Sequence, residues 1–124
     1  KAGKAFLDGD RAEAFRIEPM EEVVDELVAM MRNRHLLRLR TGECSVSDGF
    51  IFQDILVNAE RISDQCSNIG VHTLSLVDAA VAAMEHDYIL HLHQGENEAY
   101  NAEYAAVRKR YLARLTGAEN EEIK

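Results

Sequence analysis

The sequence predicts an all-α fold, an antiparallel helical bundle of three to four main helices. Three observations carry that expectation. Apolar residues recur at spacings of three and four along most of the chain, which is the period of one helix face. No alternating strand pattern is visible, and one Pro with 7 Gly is too few for a turn-rich β-sandwich. Two long helical stretches flank a short turn at Thr41-Gly42-Glu43, so they must fold back on each other as an antiparallel hairpin. The 124 residues suit one compact domain, and 47% hydrophobic with 29% charged residues is globular composition.

Residues 1–8 read as the end of a helix stopped by Gly9, with Asp10 placed to cap the next. Helical periodicity then runs from Arg11 to Arg40, with Met20, Val24, Leu27, Val28 and Met31 on one face. Pro19 lacks a backbone donor and crowds the turn before it, so a break is expected around Arg16–Glu18. Arg32, Arg34, Arg38 and Arg40 complement the negative end of this helix, and His35 reads as a further basic residue at that end. Ser45 and Asp48 approximate a capping box for a helix from Ser47 to about Leu76. Its broad apolar face comprises Phe52, Ile55, Leu56, Ala59, Ile62, Cys66, Ile69 and Thr73. Residues 77–94 form shorter helical pieces ended by Gly95. A last helix runs from Glu96 to Leu115, with Tyr100, Tyr104, Val107, Tyr111 and Leu115 as a packing stripe. The domain thus covers residues 1–115, followed by a polar, frayed tail over 116–124.

The formal net charge of -8 repels phosphate backbones and anionic lipid, which argues against nucleic acid or a membrane surface as partner. It suits cations and basic partners. Cys44 and Cys66 lie a helix length apart, beyond the roughly 7 Å a disulfide tolerates, and read as reduced thiols. The longest uncharged stretch, residues 65–77, is too short for a bilayer, which takes about 20 apolar residues. No signal-peptide pattern opens the chain, and a helix already under way at Lys1 fits a fragment of a longer polypeptide. There is no Gly-rich phosphate loop, no G-x-S-x-G and no H-E-x-x-H, and Cys44 lacks a base partner. The expectation is a protein that is not an enzyme.

Two acidic pairs share one form. Glu21 and Asp25 are four apart, as are Glu60 and Asp64, so each pair stacks two carboxylates on one helix face. The hairpin brings the pairs to about the same height at the border of the seam. Four carboxylates there would suit a hard or borderline cation, with Asn68 one turn further able to add an amide oxygen. The competing reading is a solvated acidic face partly neutralised by Arg61. Glu18 and Glu22 form a third such pair and read as surface, and His91-x-His93 is a weak metal signal because residues two apart diverge on a helix.

Residues 34–45, spanning the turn, and residues 49–69 resemble PhoU-like domains found at the cytoplasmic C-terminus of bacterial sodium/phosphate symporters. The segments 18–25 and 86–90, and Asn97, Tyr100, Tyr104, Lys109 and Tyr111, are similar to other parts of that family. The resemblance implies a regulator of phosphate transport and phosphate homeostasis built as a bundle of long helices. It implies that the E/D-x-x-x-D positions Glu21, Asp25, Glu60 and Asp64 hold iron or zinc. It also implies a place at the cytoplasmic face of the inner membrane beside the membrane-embedded sodium/phosphate transporter portion of the same polypeptide. The family commonly carries two such units where this chain has one, so a homodimer would supply the second. Gln65 stands where His is common, and Gly70 where Ala is usual. The alternative reading is a structural interaction or dimerisation module without metal or ligand.

Overall fold

The computed structural model describes residues 1–83, 85–95 and 97–122. It is all-α, with no strand among the described residues. The helices are α1 (Ala2–Asp8), α2 (Arg11–Phe15), α3 (Ile17–Thr41), α4 (Val46–Val77), α5 (Ala79–Ala83), α6 (Glu85–His93) and α7 (Glu98–Glu122). Three of them, α3, α4 and α7, are long, as the sequence predicts.

Local chemistry sets the boundaries. Asp10 caps α2 by accepting from the Glu13 N–H. The break before Pro19 falls at Arg16, which leaves Pro19 in the first turn of α3, where its missing donor costs nothing. Gly42 adopts the left-handed conformation, φ 78°, and the Glu43 N–H returns to the Arg38 carbonyl at 2.9 Å, closing α3. Ser45 accepts from the Asp48 N–H at 3.1 Å and starts α4. Asp78 is extended and separates α4 from α5. The start of the last helix expected at Glu96 lies outside the described residues, as do Ile123 and Lys124 of the expected tail. Instead of fraying after Leu115, α7 stays helical to Glu122, where Ala and Glu supply good helix formers and no Pro intervenes.

α3 is the central element. α4 packs antiparallel along one side of it and α7 along the other, while α1, α2 and α5 pack on α4. One apolar cluster joins Ala2, Ala5, Ala14, Ile17, Leu74 and Val81; a second joins Val23, Val107 and Leu112. The expected tyrosine stripe is shifted: Tyr100, Val107 and Leu112 are buried and Tyr111 is exposed. The expected apolar face of α4 is corrected more strongly. Leu56 and Thr73 are buried, but Ile55, Ala59, Ile62 and Ile69 are exposed, because α7 packs on α3 and makes no comparable contact with α4. His35, at the basic end of α3, faces α4 rather than solvent. It is buried, its ring packs tilted against Phe52 with centroids 4.9 Å apart, and Gly49 leaves room for it, since a Cβ there would lie 2.9 Å from His35 Nε2.

Gly70 marks a second close crossing, where α4 meets α2 and the start of α3. A Cβ at this position would meet Ile17 Cδ1 at 3.0 Å, Ile17 Cβ at 3.1 Å and the Ala14 carbonyl oxygen at 3.3 Å. Two of those atoms are fixed by backbone, so the crossing cannot relax by a side-chain rotation alone. Overpacking costs about 1–3 kcal/mol, against the ~1 kcal/mol of helix propensity that Ala gains over Gly. We therefore expect Gly70→Ala to destabilise the fold by about 1 kcal/mol in urea titration. An unchanged or raised midpoint would contradict the close crossing.

Candidate functional site

The candidate side chains lie where α3 and α4 run side by side. Glu21 and Asp25 occupy successive turns of α3, and Asp64 reaches them from α4. One carboxylate oxygen from each of the three lies within 4.8 Å of the others. Burial and the negative charge of Asp25 push the Glu21 carboxyl up to about 8. Burial also raises Asp25, as do Asp64 and Glu60, while a hydrogen bond with Glu21 opposes the rise. At neutral pH, Glu21 therefore holds a proton and donates it towards Asp25.

Glu60 is not in this group. Arg32 on α3 reaches across the seam and holds its carboxylate with both Nη atoms, the longer contact at 3.4 Å. The neutralising cation expected at Arg61 is thus Arg32, and Arg61 is exposed. Asn68 is also exposed, one turn beyond Asp64 on α4. Of the residues singled out from the sequence, the hairpin brings Glu21, Asp25 and Asp64 together and diverts Glu60.

A second polar layer lies beside the trio, and the sequence reading misplaced it. Glu18, expected at the surface, is only 6% exposed. It accepts a hydrogen bond from Ser67 Oγ on α4 and contacts His93 Nε2 on α6 at 2.8 Å. Glu18, Glu21 and His93 each place a ligand atom within 4.8 Å of the others. Glu22 accepts from the Tyr100 hydroxyl on α7, and burial together with that carboxylate raises the Tyr100 pKa. The wheel of α3 marked the Glu18–Glu22 side as outward because its apolar stripe lies elsewhere. That side is covered by polar groups of α6 and α7, which an apolar periodicity cannot register. The available hint was Glu18 immediately before Pro19, a first-turn carboxylate favoured by the helix dipole. His93 joins the layer singly, without His91, which faces a different cleft beside Arg11, Asp78 and Tyr88.

Comparison with known families fits this hairpin. The PhoU domain model matches residues 1–73. The chain belongs to the PhoU domain family. Neither a curated protein nor a solved structure matches the chain. The PhoU match covers α1 to α3 and nearly all of α4, so the whole trio lies within it, whereas His93 and Tyr100 lie beyond it. PhoU domains are regulatory and act in phosphate transport. No helix among the described residues is long and apolar enough to cross a membrane.

The raised Glu21 carboxyl has a defined consequence for stability. Its folded-state pKa, about 8, exceeds the ordinary value of 4.5, so between these values the folded chain binds more protons than the unfolded one. Stability then falls as pH rises through that window and levels off above it. Asp25, also raised, adds to the fall. In metal-free buffer we expect the unfolding midpoint to decline from about pH 5 to about pH 8, and Glu21→Gln to flatten that decline. A midpoint that climbs across the window would refute the buried, proton-sharing cluster.

Proposed function

We propose that this PhoU-family chain is the regulatory domain of a sodium/phosphate symporter, at the cytoplasmic face of the membrane, and that Glu21, Asp25 and Asp64 hold a metal cation, iron or zinc. The observation that carries the reading is the convergence of three carboxylates from both helices of the hairpin. Their donor set fits the group. Oxygen ligands favour hard or borderline cations, and a bound cation would replace the proton that Glu21 holds and relieve the repulsion among the three. Glu60 would join only by releasing Arg32. The metal would supply charge neutralisation across the α3–α4 seam rather than chemistry. The hairpin would then report metal or phosphate status to the transporter through its stiffness and charge.

The test is metal content and stability measured together. After loading with Fe²⁺ or Zn²⁺ and desalting, the purified chain should retain metal and unfold at higher temperature, because ligand bound only to the folded state stabilises by RT ln(1 + [L]/Kd). Asp64→Ala should retain none. Without metal the same variant should be neutral or slightly more stable, since it removes a like charge worth a few tenths of a kcal/mol. Wild-type chain that leaves the column free of metal disproves the cation site. Phosphate uptake that is the same with wild-type and Asp64→Ala chains, in cells carrying the intact transporter, disproves the regulatory link.

A further inference from the structure

Lys1 at the start of α1, Arg16 at the junction of α2 and α3, and Arg110 on α7 line one small cavity of about 120 Å³. Met20 and Tyr111 supply part of its wall, and Glu103 on α7 is the acidic residue of the lining. Arg16 gives its Nη1 to Glu13, which does not line the cavity, at 3.2 Å. Its Nε lies 3.9 Å from Glu103, beyond hydrogen-bond distance. The Arg110 guanidinium sits over the Tyr111 ring, 5.4 Å from its centroid. Among the described residues, neither Lys1 nor Arg110 has a carboxylate partner. The lining thus gathers three cations against a single carboxylate, in a chain whose formal net charge is -8. Like charges around one cavity repel, and an anion between them would offset that repulsion.

We propose that this cavity is a binding site for inorganic phosphate. It gives the proposed regulation a ligand and rests on that reading for its meaning, whereas its chemistry stands on the cavity alone. Guanidinium and ammonium groups are suited donors to phosphate oxygens, Arg in a planar fork and Lys as a point charge. The size suits a small ion. A water takes about 30 Å³ of liquid, so the cavity matches a group of about five heavy atoms rather than a nucleoside. Glu103 chooses between oxyanions of that size. Phosphate keeps a proton at neutral pH, and its P–OH can donate to the Glu103 carboxylate while its other oxygens accept from Lys1, Arg16 and Arg110. Sulfate has no proton to give and would set its charge against that carboxylate. The same acid that lowers the charge of the site thereby makes it selective. The three cations belong to separate parts of the chain, so bound phosphate would tie the start of α1 and the α2–α3 junction to α7. The site shares no residue with the acidic trio.

Calorimetric titration of the 124-residue chain with sodium phosphate, in buffer containing a metal chelator and held at fixed ionic strength, tests the site. Phosphate should bind saturably, and sulfate at least about tenfold more weakly. Arg110→Gln should weaken phosphate binding by about tenfold or more. Lys109→Gln should not, because Lys109 lines a different cleft with Arg108 and Leu112. Arg110 and Lys109 are both exposed, so helical circular dichroism should be unchanged in either variant. Glu103→Gln should abolish the preference for phosphate over sulfate. A wild-type chain that binds no phosphate, equal losses from Arg110→Gln and Lys109→Gln, or an unaltered preference in Glu103→Gln overturns the proposal. Tighter binding of glycerol 3-phosphate than of inorganic phosphate also overturns it, by assigning the cavity to a phosphate ester. The chelator keeps metal out of the titration, so failure here and failure of the cation site are read separately.

Discussion

The left-handed turn at Gly42 governs what the rest of the molecule can do. A residue at φ 78° there lets α3 end and α4 begin within a few residues, so the two helices run antiparallel in one fixed register. That register pairs Arg32 with Glu60 and Glu18 with Ser67, and seats His35 against Gly49 and Phe52. A shift of one residue would rotate each partner by about 100° around its helix, separate Asp64 from Glu21 and Asp25, and drive the His35 ring into backbone. The turn is local, but its consequences reach the far end of both helices. There Gly70 admits Ile17, and the short helices α1 and α2 lock on.

Holding the trio in place works against its own electrostatics. Three carboxylates that share a space less than 5 Å across favour ionisation of fewer than three, and burial adds to the bias. The structure tolerates this in two ways. Glu21 keeps a proton, and the neighbouring charges are each matched: Glu60 by Arg32, Glu18 by Ser67 and His93, Glu22 by Tyr100. The matched groups define the seam, and within the trio the proton on Glu21 offsets the crowding.

Much of this was legible in the sequence, for physical reasons that differ by element. The caps at Asp10, Ser45 and Gly42 and the break before Pro19 depend on residues a few positions apart, so the local order of residues places them. The proximity of Glu21, Asp25 and Asp64 follows from one turn and one helical period. What the sequence left ambiguous depends on which helix covers which face. The apolar stripe of α4 reads as core because apolar residues at helical spacing usually are core, yet only another helix can make it so, and α7 lies elsewhere. The opposite error occurred at Glu18 and Glu22, where polar residues read as surface but are covered by His93 and Tyr100. The diversion of Glu60 to Arg32 was equally invisible, because Arg32 already had a sufficient local reason to exist at the basic end of α3.

Glu21 belongs to the acidic trio and also lines the rim of an open apolar trough between α3 and α4, beside Met20 and Val24. Covering the trough removes water from Glu21, which is tolerable for a protonated or metal-bound carboxyl and costly for a free carboxylate. Whatever neutralises Glu21 therefore lowers the cost of covering the trough. By reciprocity, whatever covers the trough tightens the hold on the neutralising proton or cation by the same factor. The direction of this coupling is fixed by desolvation alone and does not depend on whether a proton or a cation neutralises Glu21.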